Sequence, residues 1–305
     1  MPTKNTPRGA RTLFVALALF VSIAPAVSAR TAFSKVVTFG DSLSDNGNLY
    51  AMTGGAAPPA PYYWNGRFSN GPVWPEYVAD RLGLADKHLN YAVGGASTSA
   101  VLGQVGQYAA SLGGGPADPD ALYLLNGGAN DLLGIAPGAN PVPVLVGAIT
   151  NLGTAVGWLQ ALGAKHVVVM NFPNLGLAPR GRAMADGGAG ATALSAIFNS
   201  ELENVIAALE WGWDGKIIRG DAFAFVTSRV TNPSAYGFIN VTVPVLAGGS
   251  AEGAFFWDDI HPTTMAHSQF ADEVLAAALA AYSPRQGQGS GPGTISGLRG
   301  LAKVK

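Results

Sequence analysis

The sequence predicts an α/β protein in three layers, with a parallel β-sheet covered by helices on both faces. Three observations predict it. Short apolar runs recur along the chain, and each is nearly continuous in apolar character, the pattern of strands buried on both sides. Longer stretches with apolar residues at helical spacing lie between them, and alternation of the two element types is the signature of a parallel sheet. The clearest runs end in Gly, Asn or Pro, residues that turn the chain.

Taken in order, the first run is 35–39 (KVVTF), which ends at Gly40. A helical stretch follows at 74–82, then a weaker strand around 89–93. The run 121–125 (ALYLL) ends at Asn126-Gly127-Gly128, and 166–170 (HVVVM) ends at Asn171-Phe172-Pro173. A helix is expected over 142–162 between those two runs, and another over 191–211, where Leu194, Ile197, Phe198, Leu202, Val205, Ile206 and Leu209 share one face. The run 216–219 (KIIR) is the last strand and 264–282 the last helix. No internal repeat is visible. The segment 222–257 reads as long, irregular and part of a site wall.

A chain of 305 residues holds one large domain or two small ones. Its ends read differently from its middle. Residues 1–29 have the form of a secretory signal: Lys4, Arg8 and Arg11, then an apolar stretch of 15 residues over 13–27, then Val27-Ser28-Ala29, with cleavage expected after Ala29. A bilayer span needs roughly 20 apolar residues, and Pro25 interrupts this stretch. No later segment is expected to span a membrane. The protein is therefore expected to be exported, secreted or periplasmic. Residues 283–305 are rich in Gly, Ser and Pro, carry Arg285, Arg299, Lys303 and Lys305 with no acid, and read as a flexible basic tail. The intervening 30–282 has 11 basic and 19 acidic residues, so nucleic acid is not expected as a partner. The absence of cysteine excludes disulfides, thiolate nucleophiles and Cys-zinc sites. Any imidazole chemistry rests on His88, His166, His261 and His267. Of these, His88 reads as a loop residue, His166 as structural at a strand start, and His267 as a solvent-facing residue of the last helix.

Chemistry in open parallel sheets collects at the carboxyl ends of the strands, near the point where strand order reverses. After the first strand comes Gly40-Asp41-Ser42-Leu43-Ser44-Asp45. A serine hydroxyl at a strand-to-helix turn is exposed to attack a substrate, but the same residue type is a preferred helix cap. There is no G-x-S-x-G elbow. Ahead of the last helix comes Trp257-Asp258-Asp259-Ile260-His261-Pro262-Thr263. Asp258, three residues before His261, is within reach of one ring nitrogen and leaves the other for Ser42. A metal set of Asp258, Asp259 and His261 is the weaker alternative, because no second His or carboxylate cluster stands near. Asn130, in Gly127-Gly128-Ala129-Asn130-Asp131, offers a side-chain amide to an oxyanion, and the Gly94-Gly95 turn offers backbone N–H groups. Each motif alone has an ordinary reading as turn, cap or loop; their order along the chain joins them.

The constellation resembles the GDSL esterase/lipase family, the SGNH hydrolases. Residues 39–48 (FGDSLSDNGN), 90–96 (NYAVGGA), 127–131 (GGAND) and 256–263 (FWDDIHPT) resemble its blocks, with 66–71 (GRFSNG), 162–177 and 232–242 as further similar stretches. The resemblance implies that 30–282 is one hydrolase domain with a five-stranded, flavodoxin-like sheet in the order 2-1-3-4-5. It implies Ser42 as nucleophile, His261 as base and then acid, and Asp258 as its orienter. It implies an oxyanion hole made of the Ser42 N–H, the Gly95 N–H and the Asn130 amide, with Gly94 as the competing amide. It implies no cofactor and no metal, and a small-molecule or lipid ester as substrate. Transfer of an acyl group, phospholipid cleavage and sugar deacetylation share the same site, and a non-catalytic surface-binding module is the reading from another class. The apolar loop 54–64 and the stretch 140–144 are expected to line an acyl groove. Asn240-Val241-Thr242 fits a glycosylation acceptor.

Overall fold

The computed structural model describes Met1, residues 33–136 and residues 138–282. The expected basic tail at 283–305 and, apart from Met1, the expected signal segment at 1–29 lie outside the described residues. Five strands form the sheet: β1 (Val36–Phe39), β2 (His88–Asn90), β3 (Leu122–Leu125), β4 (His166–Met170) and β5 (Lys216–Gly220). All neighbours are parallel, in the order β2-β1-β3-β4-β5. The helices are α1 (Asn48–Met52), α2 (Trp74–Arg81), α3 (Thr98–Ser111), α4 (Ala129–Leu133), α5 (Val142–Leu162), α6 (Pro179–Arg182), α7 (Ala189–Glu210), α8 (Ala222–Thr231) and α9 (Thr264–Tyr282).

The two-sided burial of the strands explains their continuous apolar runs. In β3, Leu122 and Leu124 face one core and Tyr123 and Leu125 the other, as the two-residue period of a strand requires. The first core is closed by α2, α8 and α9, through side chains such as Val78, Phe225 and Phe270. The second is closed by α3, α5 and α7, through Val105, Leu152 and Phe198. This is the expected three-layer sandwich. β1 and β3 are level, with Phe39 opposite Leu125, so the loops after them leave the same edge side by side. Strand order reverses between them.

Besides the short α1, α4 and α6, two longer helices were not legible in the sequence. α3 buries only Thr98, Val101, Gln104, Val105 and Tyr108 among small and polar residues, too sparse an apolar stripe to stand out. α8 occupies the start of the segment read as irregular; Asp221 caps it, accepting from the Ala224 N–H. β2 is weak because it is an edge strand with one neighbour, leaving Leu89 45% exposed. Contrary to the expectation that no later segment could span a bilayer, α5 is long and apolar enough by length and composition. It packs against the sheet between α3 and α7, with Leu145, Leu152, Val156 and Leu159 buried.

The histidines also differ from expectation. His88 is not in a loop but opens β2, its Nε2 2.9 Å from the Thr38 hydroxyl. His267 does not face solvent; it is 3% exposed inside the first core. His166 begins β4 and bonds the Tyr282 hydroxyl of α9. Burial holds the His88 pKa down to about 4 against the pull of Glu76. Burial, with the neighbouring His261, holds His267 down to about 3. Both are neutral at pH 7. Because each folded value lies below the ordinary 6.5, the unfolded chain binds more protons at intermediate pH. Stability is then fully present above about pH 6.5 and falls as pH drops toward 4 and 3, by up to about 1.4 kcal/mol per pH unit for each group. Urea unfolding between pH 7 and 4 checks this: His88→Asn is expected to flatten the slope, and an unchanged slope in that variant rules His88 out as a contributor.

Candidate active site

The turn after β1 has to be built without a helix. No helix begins at Ser42: the Ser44 and Asp45 N–H groups both donate to the Asp41 carbonyl, 3.0 Å each, which makes a single turn. The helix cap read as an alternative for Ser42 falls instead to Asp45, whose Oδ1 accepts from the N–H groups of Gly47 and Asn48 at the start of α1. Its Oδ2 accepts from Leu49 and, across the crevice, from the Gly94 N–H at 2.8 Å. Buried Gln104 of α3 closes the strand end with two bonds, accepting from the Gly40 N–H and donating to the Gly40 carbonyl. Asn126 donates to the Asp41 carboxylate at 2.8 Å and accepts from the Ser44 hydroxyl. A Cβ at position 40 would stand 2.0 Å from the Asn126 Oδ1, so the residue before Asp41 must be glycine. Burial pushes the Asp41 carboxyl pKa up, against the opposing bonds from Leu43 and Asn126.

Ser42 itself is 9% exposed. Its Oγ lies 2.8 Å from His261 Nε2, and His261 Nδ1 lies 2.7 Å from Asp258 Oδ2. With Nδ1–H donating to the carboxylate, Nε2 is left to accept the Ser42 O–H. Asp258 is held by its own loop: its Oδ1 accepts from the N–H groups of Ile260 and His261, at 2.9 and 2.7 Å. Burial alone would raise the Asp258 pKa, but the bonds and charge of His261 with these two amides outweigh it and bring it to about 2. The structure thus brings Ser42, His261 and Asp258 into one chain of hydrogen bonds although 219 residues separate the serine from the histidine. Asp259 does not join them. Its carboxylate turns to Arg180, 2.9 Å from Nε, so the metal set of Asp258, Asp259 and His261 is not assembled.

Asn130 sits on α4 and donates one amide hydrogen to the Ala96 carbonyl at 2.9 Å, which fixes the side chain and leaves its second hydrogen free. Gly95 has φ +78°, a left-handed conformation that suits glycine, and no protein atom among the described residues accepts its N–H. Gly94 cannot compete, because its N–H is committed to Asp45. The Ser42 N–H likewise has no acceptor among the described residues. Ser42, Gly95, Asn130 and His261 line one cavity of about 410 Å³. Away from these groups its wall is mostly apolar, formed by residues such as Met170, Ala222, Phe225, Phe255 and Phe270. Of the stretches expected to line an acyl groove, 54–64 contributes Ala57 to this wall, whereas 140–144 contributes Pro141 to a second cavity of about 470 Å³ beside it.

Sequence reasoning missed four residues at the site. Tyr63, on the loop read as an apolar cover, donates its hydroxyl to Asp258 Oδ2 at 2.8 Å. Burial and the adjacent carboxylate hold its pKa well above the ordinary value, so it is always the donor. The same loop is tied down where the Trp257 indole N–H donates to the Tyr62 carbonyl at 3.1 Å. Phe68 lays its ring against His261, with centroids 5.0 Å apart. Asp45 and Gln104 complete the four. The stretch 66–71 was the available signal for Phe68. Its neighbours brace the His261 loop, Ser69 donating to the Pro262 carbonyl and Asn70 accepting from the Thr264 N–H. Asn240, read as a glycosylation acceptor, uses its side-chain amide to donate to the Val243 carbonyl and close a turn.

A hydroxyl, an imidazole and a carboxylate bonded in series at the switch point of a parallel sheet place the chain among the α/β/α hydrolases. The family model of GDSL-like lipases/acylhydrolases matches residues 36–274, and the chain belongs to that family; it is a hydrolase of the GDSL type. It is 29% identical to the phosphatidylcholine-sterol acyltransferase of Aeromonas hydrophila, with 84% of this chain matched to 93% of that one. It is 28% identical to the thermolabile hemolysin of Vibrio parahaemolyticus, with 82% of this chain matched to 65% of the hemolysin. Among solved structures, an α/β hydrolase from the metagenome of Lake Arreo, Spain, shares the fold, with a TM-score of 0.51 and 15% identity over 83% of this chain and all (100%) of that one.

Proposed function

We propose that this enzyme hydrolyses carboxylic esters with apolar acyl groups, through an acyl-enzyme on Ser42. The observation that carries the reading is the unbroken relay from Asp258 through His261 to Ser42, at 2.7 and 2.8 Å, opening on a mostly apolar cavity. Ser42 Oγ bonds to the ester carbonyl carbon while His261 Nε2 takes its proton. The oxyanion is met by the Ser42 and Gly95 N–H groups and the free hydrogen of Asn130. The bond to the alcohol oxygen then breaks, and His261 returns the proton to the departing alcohol. Water, deprotonated by His261, attacks the acyl-serine and releases the acid and Ser42. Asp258 keeps the imidazole in the tautomer that both steps need.

A second reading uses the same acyl-enzyme but delivers the acyl group to another alcohol in place of water. Its support is the relative named as a sterol acyltransferase. The segment 1–29 has the form of an export signal, and on this reading 30–282 is the hydrolase domain that acts outside the cytoplasm.

The direct test is hydrolysis of p-nitrophenyl esters from acetyl to palmitoyl by the wild type and by Ser42→Ala. The variant is expected to lose about 10⁴-fold or more in turnover while keeping the wild-type circular dichroism spectrum; retained turnover sinks the assignment. Asn130→Ala removes one oxyanion donor and is expected to lower kcat about 10²–10³-fold. A loss confined to KM would show that Asn130 only binds the ground state. Tyr63→Phe removes one bond to Asp258 and leaves the other three. It is expected to lower kcat about 3- to 10-fold with KM nearly unchanged, the equivalent of one modest hydrogen bond. An unchanged kcat in that variant removes Tyr63 from the positioning of the relay.

A further inference from the structure

The second cavity, of about 470 Å³, adjoins the one that holds Ser42. The two share five wall residues: Leu133, Leu175, Ala178, Arg180 and Ile260. Of these only Ala178 is buried, so the boundary between the cavities reaches the surface. The volume is ample for a small organic group. More of the second wall comes from Leu132 of α4, Met184 just beyond α6, and Ala191 and Leu194 of α7.

The chemistry of this wall is one-sided. Arg180 and Asp186 are its charged residues, and no other side chain in it among the described residues carries a nitrogen or oxygen atom. Both charges are already matched within the protein. Arg180 donates to the Asp259 carboxylate, and Asp186 accepts from the N–H groups of Gly188 and Gly190 at 3.0 and 2.7 Å. A polar occupant such as a sugar would give up bonds to water for little in return, whereas an apolar one gains by leaving water.

The cavity lies where the leaving group of an ester has to go. In the tetrahedral intermediate of the proposed cleavage, the oxyanion faces Gly95 and Asn130 and the acyl chain lies along the first apolar wall. The alcohol oxygen must then stand beside His261 Nε2, which returns its proton. Ile260 precedes His261 in the chain, and Leu133 lies three residues past Asn130 on α4. Both belong to the boundary that the two cavities share. We propose that the second cavity is the alcohol subsite, and that the preferred substrates are esters of apolar, multi-carbon alcohols. The proposal rests on the esterase reading and names the alcohol half of the substrate of that same site.

The experiment measures kcat/KM, by titration of released acid, for acetate esters of unbranched primary alcohols from methanol to hexanol. All of them give the same acetyl-enzyme, so a difference among them arises before the alcohol departs. The wild type is expected to gain roughly 2- to 4-fold for each added methylene. Met184→Trp and Leu194→Trp narrow the second cavity from residues that do not line the first, and Met184 is 48% exposed, so its variant leaves the core intact. Each variant is expected to lower the hexyl-to-methyl ratio by about 10-fold or more. The dependence on acyl length, read with methyl esters, is expected to stay as in the wild type. Hydrolysis with no gain from longer alcohols overturns the proposal alone. A gain that survives in both variants also overturns it, as does a loss in the variants confined to long acyl groups, which would seat the acyl chain there. The wild-type series decides the matter if the variants fold poorly. No hydrolysis of any ester overturns the esterase reading and the proposal with it.

Discussion

The arrangement around Ser42 depends on one buried carboxylate. Asp45 accepts four backbone N–H groups, three from the start of α1 and one from Gly94 on the other side of the crevice. A carboxylate in that position without those donors would be strongly destabilising. Because it has them, the loop bearing Ser42 and the loop bearing Gly95 cannot move independently. The same bond commits the Gly94 N–H, while the Gly95 N–H has no acceptor among the described residues. Ser42 has no helix to hold it, so the polar cluster of Asp41, Ser44, Asn126 and Gln104 takes over the work a helix start does elsewhere. The rigidity of the Ser42 turn is a property of hydrogen bonds within the strand ends and their neighbours.

The histidine half of the site is assembled differently. His261 lies on an irregular loop, pinned by the antiparallel bridge between Phe256 and Pro262 and by the two backbone bonds that Asp258 accepts from its own turn. Three further contacts come from distant sequence: Phe68 against the ring, Ser69 on the Pro262 carbonyl, and Tyr63 on Asp258. A loop is a poor platform for a side chain that must be placed within a fraction of an ångström, and such clamping supplies what regular structure does not. Arg180 contributes from another direction by taking Asp259 out of the site.

How much of this could be read from the sequence follows from the range of each interaction. The strands were legible because two-sided burial writes itself into consecutive residues, and α5, α7 and α9 because their apolar stripes are long. α3 was not, since Gln104 occupies a buried position to serve Gly40, and a polar residue on an inward face breaks the pattern that reveals a helix. Ser42, Asp258, His261, Gly95 and Asn130 stood out as candidates because each lies in a short motif of its own, and the structure places all five around one cavity or the hydrogen-bond chain that opens on it. Tyr63 and Asp45 were not, because their partners, Asp258 and Gly94, are 195 and 49 residues away and no local spacing records such a pairing. His267 was misplaced for the opposite reason. A polar residue on the last helix reads as surface, and only the packing of α9 against α2 buries it.

The cavity shows where the fold has accepted a loss of packing. Its wall takes Met170, Phe225, Phe255 and Phe270 from the first hydrophobic core, and beside them stand Ala178, Ala222 and Ala266, where larger side chains would fill the space. Interiors are normally packed to the density of organic crystals, and a void beside the core is destabilising. Here the void opens beside Ser42 at the one edge of the sheet where the crossover leaves a crevice. The missing volume is therefore in the place where a ligand restores it, and an apolar group entering past Ser42 would complete the core between the sheet and α8 and α9. On that view the apolar layer and the cavity are one structure, and changes to its alanines would alter stability and ligand preference together.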